Sequence, residues 1–280
     1  MHFDYTAVGH VTIDVLADGS RRPGGSAFYG ALQAARLGQR ALILTRGVER
    51  EIEQLLAPYR DELELEVLPG PHTTTLETSG SGEERSQRML AWAGPIDEAP
   101  SIDTSILHLA PIARETPRRW RGTADFVGLT PQGLARDWSG PDRVISLGAP
   151  EQDTLPAGCD ALVISEVERA SFSELVRRAR QGGAIVAVTA GHRPTTLLLP
   201  GGGEIEVPAP AAGRPREDLG AGDVFAAAFF IALREGQPPN SAADFAGAAA
   251  ALRIGSAGTD GIGDRAAIDA RVRAGAKPSR

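Results

Sequence analysis

Short apolar segments rich in β-branched residues recur along this chain, at 5–8, 41–45, 106–109, 126–129, 144–147, 161–164 and 184–189, with longer segments of helical spacing between many of them. This alternation predicts βαβ units around a mostly parallel sheet, the α/β class, because parallel strands need a crossover and a helix is the usual one. Helices are predicted over 26–37, stopped by Gly38, over 49–59, and over 171–181, capped by Ser171 and closed by Gly182 and Gly183. A hairpin is predicted from 196–199 and 204–207, and two alanine-rich helices follow at 221–234 and 241–253. The tail after Arg271 is expected to fray.

The alternation stalls between 63 and 95. Segments 62–68, 72–78 and 88–92 read as strands with no helix between them, separated by Pro69-Gly70-Pro71 and Ser79-Gly80-Ser81-Gly82. The expectation is a single α/β domain over 1–280 in which 63–95 forms an antiparallel, β-rich lid on one edge of the body. An exposed lid edge invites a second copy to pair, so a homodimer through the lid is expected.

Composition excludes several classes of function. The longest apolar run, 224–233, is far short of the roughly twenty residues that cross a bilayer, and the N-terminus lacks the basic start and apolar stretch of a signal peptide. No membrane partner and a cytoplasmic location are therefore expected. Cys159 is the only cysteine, which rules out an intrachain disulfide and a cysteine-based zinc site. A net charge of −7 gives no counterion-release affinity for nucleic acid. The only lysine is Lys277, close to the end of the chain. Schiff-base enzymes, P-loop NTPases and protein kinases all need a lysine in the site. Phosphate, if handled here, must be met by arginine, backbone N–H groups or a metal.

One stretch combines the features of an anion site. In Gly220-Ala221-Gly222-Asp223-Val224-Phe225, two glycines open an apolar helix and an acid stands directly behind them. Small residues let the backbone approach a ligand, and the free N–H groups of a first helical turn attract an anion such as phosphate. Asp223 could take a proton from an attacking hydroxyl there, or could simply compensate the helix dipole, a role worth about 0.3–1 kcal/mol. Pro23-Gly24-Gly25-Ser26 opens the first helix in the same way. Asp14, just after a β-rich segment, could accept hydrogen bonds from vicinal hydroxyls or be a solvated turn residue.

Taken together these stretches resemble the ribokinase-like, or PfkB, family of carbohydrate kinases. The resemblance spans nearly the whole chain: Val8-Gly9-His10-Val11-Thr12-Ile13-Asp14 is similar to the family's opening strand, Gly24-Gly25 with Ala34-Ala35-Arg36-Leu37-Gly38 to its first signature, and Gly220-Ala221-Gly222-Asp223 to its second. It implies a three-layer fold with a mostly parallel central sheet and a small β lid. It further implies an ATP-dependent phosphotransferase acting on a hydroxyl of a small sugar or polyol. Asp223 would be the general base and Gly220, Ala221 and Gly222 the anion hole. Asp14, Gly24, Gly25 and Ser26 would form the substrate side, Thr189, Gly191 and Ser165 would border ATP, and Glu168 would stand near magnesium, which arrives bound to the nucleotide.

The chain departs from the family pattern in places. Tyr29 stands where the family often has an asparagine that grips a sugar, and the family's Asn-x-x-Glu element appears as Ser165-Glu166-Val167-Glu168. The gap between Asp14 and Gly24 is short, leaving little room for extra lid strands. That gap, Gly24-Gly25-Ser26-Ala27-Phe28 and the run from His72 to Glu77 are similar to the inositol kinases of the family. A nucleoside acceptor and a catalytically weak nucleotide or sugar sensor remain the alternatives. The histidines show no metal spacing and read as ordinary core or surface residues, and Arg85 and Arg88 as solvated lid residues.

Overall fold

A computed structural model describes residues 2–80, 86–97, 100–151, 155–156, 158–211 and 216–275; Arg85 and Lys277 lie outside that range. The first half of the chain runs β1 (Phe3–Val8), β2 (Thr12–Val15), β3 (Arg21–Gly24), α1 (Ser26–Arg36), β4 (Ala41–Gly47), α2 (Glu49–Leu56), β5 (Leu63–Pro69), β6 (Thr75–Ser79), β7 (Ser86–Ala91), β8 (Ile102–Leu109) and β9 (Gly122–Leu129). The second half runs β10 (Arg136–Asp137), β11 (Ser146–Leu147), β12 (Ala161–Ser165), α3 (Ser173–Gln181), β13 (Ile185–Ala190), β14 (Arg193–Leu198), β15 (Glu204–Val207), α4 (Ala221–Arg234), α5 (Pro239–Ile254) and α6 (Arg265–Gly275).

Nine strands form the central sheet in the order β15-β14-β13-β12-β9-β8-β1-β4-β5. All neighbours from β13 across to β5 pair in parallel, and β14 and β15 add an antiparallel edge. Strand side chains alternate between two cores, as the two-residue period requires. Ala161 and Val163 join the cluster beneath α1, α4 and α5, while their neighbours Leu162 and Ile164 join the one beneath α3. The body is therefore three layers, helices on both faces of a mostly parallel sheet. β1 lies between β4 and β8, so strand order reverses there, and ligands of such sheets gather beyond the carboxyl ends of the strands at that switch.

The lid is a separate four-stranded sheet, β3-β2-β6-β7. This corrects the expectation of a lid confined to 63–95. β5 pairs in parallel with β4 over its whole length and belongs to the body, whereas β2 and β3 supply half of the lid. A hairpin of four-residue strands fits the short gap after Asp14, so that gap does contain lid strands. The premise of pairing through an open lid edge also changes. Met89 N–H donates to Arg143 O at 2.9 Å and Ile145 N–H to Gln87 O at 2.8 Å, so residues 143–145 cover β7. The other edge, β3, is short and carries Arg21, Arg22 and Pro23, which block strand addition. Of the strand expected at 144–147 only Ser146–Leu147 forms, and α3 starts at Ser173 behind Phe172 rather than at a Ser171 cap. Residues Arg265–Gly275 form α6, packed on α5 with Ile268 buried, so 272–275 are helical where fraying is expected after Arg271; the rest of that tail lies outside the described residues.

Candidate active site

The second glycine-rich stretch folds as a helix start. Gly220 caps α4 in the left-handed region, at φ 78°, a backbone that glycine adopts without strain. A methyl group on Gly220 would fall 2.5 Å from Cγ of Tyr29, whose ring lies against this turn. Gly222 differs: nothing lies within 4 Å of where its Cβ would be, and it faces a cavity.

Asp223 sits in the first turn of α4 and is 9% exposed. Burial pushes its carboxyl up from the ordinary 3.8 to about 6; a hydrogen bond from Ser26 and the charge of Arg136 oppose that rise, while Glu168 and Asp14 add to it. Gln132 Nε2 donates to Ser26 Oγ at 2.9 Å, so the Ser26 hydroxyl is left to donate toward the carboxylate. Gln132 comes from the 3-10 turn Pro131–Ala135 at the end of β9, which also delivers Arg136. Burial lowers the pKa of Arg136, opposed by Glu168, Asp223, Glu115 and Asp14, so this guanidinium faces the acids of the site; one of its N–H groups donates to Ile112 O at 3.1 Å.

The first glycine-rich stretch is closed by the protein itself. Asp14 is 2% exposed, accepts from Thr12 Oγ1 at 2.7 Å, and places its carboxylate over Gly24, where any Cβ would collide with it. Gly25, at φ 95°, packs against the His10 carbonyl. Asp14, Gly24, Gly25 and Ser26 thus come together at the base of the lid, with Ser26 linked to Asp223.

Beside the α4 turn lies a cavity of about 1030 Å³. Pro208, Ala209, Pro210, Phe225, Gly247 and Ile254 make much of its wall apolar, and Thr189, Gly191, Arg22 and Glu217 add polar groups near Ala221 and Gly222. Thr189 and Gly191 therefore border the cavity, as does His192, which reads in the sequence as an ordinary residue. Ser165 is not among the lining residues. It caps the turn Glu166–Glu168, with the Glu168 carboxylate accepting the Ser165 N–H at 2.8 Å. Among the described residues no group of three or more His, Cys, Asp or Glu could hold a metal ion alone. The donor set suits a hard cation that arrives with phosphate: Glu168 uses Oε2 in the cap and faces Asp223 and Arg136.

His108 lies in the core. Its ring bonds the Tyr5 hydroxyl at 2.7 Å and Thr130 Oγ1 at 2.9 Å, and burial lowers its pKa to about 3. It is a satisfied core residue. Arg88 pairs with Glu77 on the exposed lid surface. Gln132, Arg136 and Arg253 reach the site from distant elements and leave no local signal, whereas Arg22 adjoins the first glycine-rich stretch; the shortage of lysine is the sequence signal for the arginines.

A body of this topology, with a β lid over a glycine-led helix start, is the fold of the ribokinase-family sugar and nucleoside kinases. The ribokinase of Arabidopsis thaliana, solved with ribose and ATP, matches with TM-score 0.73 at 19% identity over 98% of this chain and 99% of its own. A pyrophosphate-dependent myo-inositol-1 kinase converted into a myo-inositol-3 kinase matches with TM-score 0.72 at 20% identity, over 96% and 98%. The nucleoside kinase of Methanocaldococcus jannaschii gives 0.66 at 16%, over 97% and 98%. No curated protein sequence matches. Residues 159–264, from the approach to β12 to the start of α6, match the pfkB family carbohydrate kinase model.

Proposed function

We propose that this protein transfers the γ-phosphoryl group of ATP to a hydroxyl of a small sugar or polyol, inositol being the polyol favoured by the similarity to a myo-inositol kinase. The observation that carries the reading is the pairing of a buried, base-poised Asp223 with an open Gly222 at the mouth of a large, mostly apolar cavity. Pyrophosphate is the other donor used by such folds. A cavity of about 1030 Å³ walled by Pro208, Pro210 and Ile254 offers apolar surface that a nucleoside would bury and pyrophosphate would leave unused, which favours ATP.

In this mechanism the acceptor lies at the base of the lid, with Asp14 accepting from its hydroxyls. The attacking hydroxyl faces Asp223, whose carboxylate takes the proton as the oxygen bonds to the γ-phosphorus and the bond from that phosphorus to the bridging oxygen breaks, releasing ADP. Ser26, held by Gln132, aims that carboxylate. The N–H groups of Gly220 and Gly222 receive the negative charge on the transferring group, helped by the positive end of α4, while the Ala221 N–H, expected to join them, donates to the Asp218 carbonyl at 3.2 Å. Magnesium, bound with the donor, would be held near Glu168 and supplies charge neutralisation on the phosphates.

The test is a panel of sugars, polyols and nucleosides assayed for product formation with Mg-ATP and, separately, with Mg-pyrophosphate. Turnover of a polyol or sugar with Mg-ATP supports the reading. Turnover with pyrophosphate alone overturns the donor, and turnover of nucleosides alone overturns the acceptor class.

A further inference from the structure

With no lysine among the described residues, arginine is the side chain left to join backbone N–H groups and a metal at the donor phosphates, and of the two arginines that line the cavity, Arg216 is exposed while Arg22 is held in place. Arg22, on lid strand β3, crosses to the body and pairs with Glu217 in the loop before Gly220. Its side chain is 25% exposed and lines the cavity together with Ala221 and Gly222.

Glu217 is shared. Its Oε1 also lies 3.4 Å from Nη2 of Arg253, and its Oε2 accepts the Gly258 N–H at 2.8 Å. Burial would raise the Glu217 pKa, but the Gly258 N–H, Arg22 and Arg253 together hold it low, so the carboxylate is charged. Arg253, at the end of α5, is 0% exposed; Nη1 donates to Ser256 O at 3.3 Å and the guanidinium stands 5.5 Å from the centre of the Tyr29 ring. Its Nε has no hydrogen-bond partner among the described residues.

One carboxylate, Glu217, thus meets two guanidinium groups beside the α4 turn, and Asp14 adds its field to that of Glu217 at Arg22. A simple clasp between lid and body would need one cation, since a part-exposed ion pair works alone. Burying a second guanidinium is costly unless its charge is used. We propose that Arg22 binds the donor phosphates, with Glu217 fixing its position and Arg253 the buried charge that keeps Glu217 from neutralising it. This assignment rests on the kinase reading above.

Calorimetric binding of Mg-ATP and of adenosine to the full chain tests it. Arg22→Met is expected to weaken Mg-ATP at least tenfold and leave adenosine unchanged, with the acceptor KM unaffected. Glu217→Gln, which removes a negative charge but keeps an acceptor for Gly258, is expected to bind Mg-ATP as well as the wild type or better. Arg253→Met is expected to weaken Mg-ATP and to be partly rescued by added guanidinium. Equal Mg-ATP affinity in Arg22→Met, or parallel loss of Mg-ATP and adenosine in Arg22→Met and Glu217→Gln, makes the pair a clasp only and overturns the assignment. If the wild type binds no Mg-ATP, the ATP reading itself falls and takes this assignment with it.

Discussion

Two helix starts in this molecule are nearly interchangeable as text, a pair of small residues before an apolar helix, yet the fold uses them oppositely. At α1 the glycines are filled from within: the Asp14 carboxylate lies over Gly24 and the His10 carbonyl against Gly25. At α4 the turn is backed by Tyr29 beneath Gly220 but left open at Gly222, beside the cavity. A glycine next to a helix therefore signals close approach without saying whether protein or ligand makes it. The α1 start holds a carboxylate in place, and the α4 start leaves Gly222 open to the cavity.

Three substitutions and a titration sharpen that contrast. Gly24→Ala pushes the Asp14 carboxylate off its seat, with an expected stability loss of roughly 3 kcal/mol or more by chemical denaturation and loss of acceptor binding. Asp223→Asn acts in the opposite sense. A carboxyl raised from 3.8 to about 6 favours the neutral form, so its contribution to stability is complete below pH 3.8 and disappears as pH rises through 6. At pH 7 the buried charge costs roughly 3 kcal/mol, which the variant recovers; near pH 3.5 the two proteins should denature alike. Gly222→Ala meets no protein atom, so stability should change by about 1 kcal/mol or less while Mg-ATP binding falls about tenfold. A large stability loss in this variant would mean the α4 start is as filled as the α1 start. Finally, if Asp223 must be ionised, kcat/KM should drop about tenfold per pH unit below 6.

The parallel strands and the bounds of α4 were legible because each is a long segment with one consistent period, and helix 221–234 matches residue for residue. The lid was read only in part. β5 alternates leucine and glutamate because it is the half-exposed edge of the body, and that pattern is the same one an antiparallel flap would show. β2 and β3 are four residues each, too short to display a period. The carboxylates and glycines of the site stand in local motifs and could be picked out, whereas Gln132 and Arg253 act across distances of about a hundred residues or more, through contacts that no local spacing encodes. Ser165 shows a local role that its sequence context also leaves open, since a serine after a strand serves as a cap as readily as a ligand.

The central claim is that the open α4 start is a phosphoryl-transfer site with Asp223 as its base, and turnover by Asp223→Asn tests it most directly. With Mg-ATP and the best acceptor from the panel, the variant should remain folded and bind Mg-ATP as the wild type does, while kcat falls by about 10²–10⁴-fold. A folded variant that turns over at the wild-type rate would contradict the account.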